Sequence, residues 1–153
     1  MTNNIDLKAC RLQGDIFEKS VIYLDCGSAT FIRNFMNSKI ASHIDKGTIM
    51  QESISLDKIF NSYKEEYGDK KYGSIQFKPQ AMFWIGYLYR YWCEMYRISS
   101  KSVYKIINGS ELNSLYLSYH TFSPEKAIKR IQESKNDNQS DNYLISVMKR
   151  IYL

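Results

Sequence analysis

The chain has little of what punctuates or ligates. Two prolines and seven glycines in 153 residues leave few obligatory turns. That excludes an architecture of many short strands and favours helices. Histidine is confined to His43 and His120, and cysteine to Cys10, Cys26 and Cys93, with no CxxC pair. A zinc centre needs three or four converging ligands, so no metal site is expected, and no cofactor either. No HExxH, GxSxG, P-loop or GxGxxG pattern occurs, so none of the common catalytic templates is filled. The longest uncharged apolar run, 81–89, is nine residues, about half of what a membrane span needs. Asp6, Lys8 and Arg11 interrupt the start of the chain, so it opens on no secretory apolar region. The expectation is a soluble cytoplasmic protein with reduced cysteines.

What is present is ordinary globular material. Hydrophobic residues make up 44% and charged residues 24%, enough for a packed core rather than disorder. At 153 residues the chain fits one helical domain over 1–153, able to bury roughly two-thirds of its unfolded surface. The net charge is +5, and the excess sits late: residues 1–79 hold 11 basic and 10 acidic groups, residues 80–153 hold 10 and 6. A basic C-terminal half without a dense basic tract admits an acidic or nucleic-acid partner but does not demand one.

Residues 1–27 read ambiguously as helix or strand, bracketed by Gly14 and Gly27. Ser28 can cap a helix whose apolar positions Phe31, Ile32, Phe35, Met36, Ile40 and Ile44 recur up to Asp45, with Gly47 as the stop. A second helix is expected over 55–67, ended by Gly68, then an exposed loop over 68–73. Residues 74–77 read as briefly extended, because Lys78 precedes Pro79. Short helices follow over 101–107, capped by Ser99 or Ser100, and over 111–119, capped by Ser110 after Asn108-Gly109. Ser123-Pro124-Glu125 is the sharpest helix start in the chain. The polar stretch 134–141 reads as a linker before a final amphipathic helix over 142–152. The fold class is mainly α: a bundle of about five to seven helices.

The bundle is expected to form around residues 79–97, which carry both tryptophans. Ala81, Trp84, Ile85, Leu88, Trp92 and Met95 make one broad stripe, with Phe83, Tyr87, Tyr91, Glu94 and Arg90 beside or opposite it. A helix apolar nearly all round is buried at a centre, or buried on one side and docked on the other. Gly86 costs about 1 kcal/mol relative to Ala in a helix, which points to a close helix crossing there.

Two residues carry open alternatives. Arg90, inside Tyr87-Leu88-Tyr89-Arg90-Tyr91-Trp92, is either a brace to a carboxylate such as Glu66 or Glu94, or an anchor offered to a partner. His120 either braces the turn at the end of its helix or lies on a binding surface. A helix-turn-helix over 101–119 has suitable lengths, but its second helix contains no Lys or Arg, which suits a recognition helix poorly.

Four segments together carry a family resemblance: Gly14-Asp15-Ile16-Phe17-Glu18-Lys19-Ser20; Phe31-Ile32-Arg33-Asn34-Phe35-Met36-Asn37-Ser38; Trp84-Ile85-Gly86-Tyr87-Leu88-Tyr89-Arg90-Tyr91-Trp92 and onward to Tyr119-His120-Thr121; and Pro124-Glu125-Lys126-Ala127-Ile128. The chain resembles small bacterial antitoxin or accessory proteins of toxin–antitoxin modules, encoded beside ADP-ribosyltransferase-like or other toxins. The resemblance implies a non-enzymatic protein that neutralises a toxin by binding it, with Tyr87, Arg90, Tyr91, Trp92, His120 and Thr121 at the partner surface. Many antitoxins also bind DNA. This chain departs from that pattern, since no convincing reader helix is present; the alternative, a regulatory nucleic-acid-binding protein, rests on the basic C-terminal half.

Overall fold

A computed structural model describes residues 4–49, 54–68 and 72–152. The described residues are mainly helical, with eight helices and no strand among them. The chain divides into two compact units, Met1–His120 and Thr121–Leu153.

The first unit is organised by α1 (Leu7–Tyr23) and α5 (Pro79–Tyr96). Gln13 of α1 meets Arg90 late in α5, while Gln76, just before α5, reaches the carbonyls of Val21 and Leu24. The two helices therefore run antiparallel. They approach closely because each supplies a glycine. A Cβ on Gly86 would lie 2.5 Å from the Gln13 carbonyl oxygen and 2.7 Å from Phe17 Cγ, and one on Gly14 would lie 2.8 Å from the Phe83 ring. The crossing expected at Gly86 is thus made by α1. The segment with the least readable sequence supplies it.

Around this pair lie α2 (Ser28–Met36), α3 (Lys39–Asp45), α4 (Leu56–Tyr67), α6 (Ser100–Ile106) and α7 (Gly109–Tyr119). Phe17 of α1 stands edge-on to Phe31 and Phe35 of α2, at 5.3 and 5.1 Å between ring centres. Phe31 also meets Tyr63 of α4 at 5.4 Å. Such aromatic pairs add about 0.5–1.5 kcal/mol each beyond their burial.

Several boundaries differ from the sequence reading. The expected helix over 28–45 breaks at Asn37-Ser38, where the Ser38 hydroxyl caps α3 by accepting from Ala41 N at 3.1 Å. The apolar period runs straight through the break, so the pattern conceals it. Gly27, not Ser28, is the N-cap of α2. The Ser28 hydroxyl instead accepts from Phe77 N at 2.9 Å, and Ser28 N–H donates to the Ile75 carbonyl. Residues 74–77, expected to be extended, carry no regular secondary structure and bond the start of α2 through Ile75 and Phe77. Asn108 caps α7 in a reciprocal box with Glu111, displacing Ser110 from that role. Gly109 opens that helix because a Cβ there would meet Ile32 Cδ1 at 2.5 Å. The loop expected over 68–73 lies partly outside the described residues.

The second unit is α8 (Pro124–Tyr152), one helix of 29 residues. The linker expected at 134–141 is helical. Asn136, Asp137 and Asn138 are exposed on the helix surface, and the stretch holds no Gly or Pro to stop propagation. Ala127, Ile128 and Ile131 are buried. Lys126 sits 4.3 Å over the Phe122 ring.

Among the described residues, no helix is long and apolar enough to cross a membrane.

Candidate functional site

Helix α5 has an interior polar node and, flanking it, a half-buried aromatic face. At the node, Arg90 is 1% exposed yet satisfied on every side. Its Nε and Nη2 donate to Gln13 Oε1 at 3.0 and 2.8 Å, Nη2 also reaches Ser100 Oγ at 3.0 Å, and Nη1 donates to Asp45 Oδ1 at 2.6 Å. Asp45 Oδ2 accepts from Ser100 N at 2.9 Å. One guanidinium therefore ties the end of α3, the start of α6 and the middle of α1 to α5. Gln13 completes the set by donating from Nε2 to the Gly86 carbonyl at 3.0 Å. A buried charge is tolerated only when paired and fully hydrogen-bonded, and this one is both.

Beside the node two depressions of about 490 and 290 Å³ share Asp45, Lys46 and Glu94. The first is also lined by Arg97, the one described non-glycine residue with positive φ (53°), which ends α5 in a left-handed turn. Burial raises the carboxyl of Glu94 above its ordinary 4.5; Arg90 pulls it down, and Asp6 and Asp45 push it further up. Burial likewise holds the Cys10 and Cys93 thiols up at about 12 and about 11. Both stay protonated at neutral pH, the unreactive form of a cysteine. No group of three or more His, Cys, Asp or Glu side chains among the described residues could hold a metal ion.

The face of α5 that flanks this node presents rings. Phe83, Tyr87 and Tyr91 recur every fourth residue and stack in file, at 6.0 and 6.4 Å between successive centres. Trp84 lies alongside, edge-on to Tyr116 of α7 at 5.8 Å, and Tyr116 stacks on His120 at 4.5 Å. Phe83, Trp84, Tyr87, Tyr91 and Tyr116 are all half-buried. Burial raises the Tyr87 phenol, with Cys10 adding to the rise and Arg11 opposing it, so it remains a neutral hydrogen-bonding group.

The residues assigned to a partner surface from sequence therefore separate. Tyr87 and Tyr91 share the aromatic file. Arg90 and Trp92 are 1% exposed and point into the interior, so as they stand they offer no partner surface. The carboxylate that braces Arg90 is Asp45, neither Glu66 nor Glu94. His120 is exposed, and its Nδ1 lies 2.7 Å from the Tyr116 carbonyl. A carbonyl only accepts, so Nδ1 donates and braces the helix end. Thr121 is exposed and belongs to the second unit. Sequence reasoning missed Phe83, Trp84 and Tyr116 as surface residues; the spacing 83, 87, 91 was the available signal.

Comparison with family models, curated proteins and solved structures returns no match for this chain. The resemblance to antitoxin proteins rests on the residues quoted for it alone.

Proposed function

We propose that this chain is a non-catalytic protein-binding module and, carrying the resemblance forward, an antitoxin-type protein that occludes the active surface of a toxin encoded beside it. The observation that supports a binding role is the half-buried file Phe83–Tyr87–Tyr91 with Trp84 beside it, on a helix that Arg90 ties to α1, α3 and α6. Tyr and Trp on a rigid support present large area at little entropic cost on docking, the composition of interface hot spots.

Co-expression with the adjacent gene product tests the reading. The two proteins should co-purify, and growth arrested by the toxin should resume. Tyr87→Ala and Tyr91→Ala should weaken the complex by about tenfold or more each while leaving the helical circular-dichroism signal unchanged. A neighbour that neither co-purifies nor is neutralised removes the proposal. The nucleic-acid alternative draws its support from Lys126, Lys129 and Arg130, all exposed at the start of α8. It requires an affinity that falls steeply with salt.

A further inference from the structure

A depression of about 180 Å³ lies between α2 and the turn that joins α6 to α7. Thr30, Arg33, Tyr104, Asn108 and Ser110 form its polar wall, and no carboxylate lines it. The donors there have nothing to donate to. Among the described residues, the Arg33 guanidinium and the hydroxyls of Thr30, Tyr104 and Ser110 enter no hydrogen bond or ion pair. Asn108 gives its Oδ1 to the Glu111 N–H at 2.9 Å, which leaves its Nδ2 free to donate. Glu111 itself turns back onto the Asn108 N–H at 3.4 Å and stays out of the wall. By contrast, every buried side-chain polar atom among the described residues has a partner.

The wall is held in place from behind. Thr30 and Arg33 are three residues apart on α2, so their side chains share a face. Tyr104 is half-buried, its ring set against that of buried Tyr89 at 6.5 Å between centres. Tyr89 is anchored in turn, donating to the Ile107 carbonyl at 2.6 Å. Burial raises the Tyr104 phenol, with Arg33 pulling it down, so at neutral pH the hydroxyl keeps its proton and is a donor.

We propose that this depression binds a phosphate group, free or as a monoester, with Arg33 as its counter-charge and Thr30, Tyr104, Asn108 and Ser110 as further donors. The number of donors selects among oxyanions. A two-pronged guanidinium alone matches the two oxygens of a carboxylate. Four more donors call for the third oxygen and the additional charge that a phosphate monoester carries near neutral pH. The depression is smaller than the roughly 300 Å³ at which pockets begin to enclose whole small molecules, so it takes the phosphate and leaves an ester's remainder outside. A second depression, of about 190 Å³, shares Thr30 and Arg33 and has Tyr63 and Tyr67 in its wall. An aromatic remainder would lie against those rings.

Amide nuclear magnetic resonance of the full chain, titrated with inorganic phosphate, AMP and acetate at constant ionic strength, tests it. Saturable shifts centred on Thr30, Arg33, Tyr104 and Asn108 are expected with both phosphates, and acetate should bind at least about tenfold more weakly. AMP binding tighter than inorganic phosphate assigns the site to an ester with an aromatic remainder; equal binding assigns it to the free ion. Arg33→Gln should raise the dissociation constant by at least about tenfold, and Tyr104→Phe by about tenfold. Arg33 is exposed, so the helical circular-dichroism signal should be unchanged in the first variant. Lys101→Gln removes the same charge from an exposed position of α6 outside the wall and should change binding by less than about twofold. No saturable shift with either phosphate at about 10 mM, acetate binding as tightly as phosphate, or Lys101→Gln weakening binding as much as Arg33→Gln overturns the proposal. None of the wall residues belongs to the aromatic file of α5, so this site and the toxin-binding surface stand or fall separately.

Discussion

Gln13 and Arg90, 77 residues apart in sequence, share two hydrogen bonds across the crossing of α1 and α5, at 3.0 and 2.8 Å. The glutamine amide faces both ways, accepting from the guanidinium and donating to the Gly86 carbonyl. Close approach, buried charge and a polar bridge are thus one arrangement. Glycine lets the backbones meet, Gln13 fills the gap with a group that can bind either side, and Asp45 balances the charge.

Removing one partner of a buried pair leaves the other charge uncompensated, at about 3–5 kcal/mol. Asp45 keeps 18% of its side chain exposed, which places Asp45→Ala near the lower end, about 3 kcal/mol. Asp45→Asn should cost less, since one carbonyl oxygen remains, though it must serve the donors that two oxygens served. Arg90→Ala should exceed both, because Gln13 Oε1 loses its donors too. Urea unfolding orders the three; a node contributing nothing would leave all midpoints within experimental error of the parent.

The two glycines of the crossing should respond unequally to alanine. At Gly86 the added methyl meets the Gln13 backbone carbonyl at 2.5 Å, and backbone in a packed helix pair cannot step aside. Overpacking of this kind costs roughly 1–3 kcal/mol, and Gly86→Ala should reach the upper part of that range. At Gly14 the methyl meets the Phe83 ring at 2.8 Å, a half-buried side chain that can rotate. Gly14→Ala should therefore lose less, offset in part by the better helix propensity of alanine. Thermal unfolding of both variants decides it. Equal losses would mean that Phe83 is as fixed as the backbone.

These same residues mark what sequence can and cannot say. Gly86 is readable as a crossing point, because a glycine inside a long apolar helix weakens it unless a neighbouring backbone needs the space. Its counterpart is not. Gln13 and Gly14 interrupt the apolar pattern of α1 because they serve the crossing, so the feature that makes this helix central also hides it. Asn37-Ser38 is hidden for the opposite reason, since the apolar period continues unbroken across it. The 134–141 tract has the composition of a linker, and composition does not distinguish a solvated helix face from a coil. At the site, Tyr87 and Tyr91 stand out by residue type, and type does not separate them from Arg90 and Trp92. Which way each side chain faces depends on where α1 lies.

Glu94 should make stability depend on pH in a definite direction. Its folded carboxyl holds its proton to higher pH than the ordinary 4.5, with burial the chief cause. Between 4.5 and the raised value the folded state binds more protons than the unfolded one, so stability falls as pH rises through that window. Arg90 opposes the effect, and Asp6 and Asp45 enlarge it. Glu94→Gln removes the ionisation. The variant should melt higher than the parent at neutral pH, and the difference should vanish as pH falls to 4.5 and below. Parallel melting curves from about pH 4 to about pH 8 measure this, and a difference that does not vary with pH would show that Glu94 ionises as it would in water.

Cys10, Cys26 and Cys93 are buried at 0%, 8% and 4% exposure, and burial raises all three thiols. The reactive thiolate is therefore scarce in the folded chain, and the reagent has little access to it. Alkylation with iodoacetamide near neutral pH should be negligible for the native protein and should proceed only through opening. The rate for Cys93, which neighbours the Arg90 node, should then follow the unfolding equilibrium. Arg90→Ala should accelerate its labelling in proportion to the stability lost, by a factor of about ten for each 1.4 kcal/mol. Mass spectrometry of the three cysteine peptides over time reads each site separately. If Cys93 labels within minutes in the parent while Cys10 stays protected, the α5 end of the node opens on its own, and the brace through Asp45 and Ser100 is weaker than its geometry indicates.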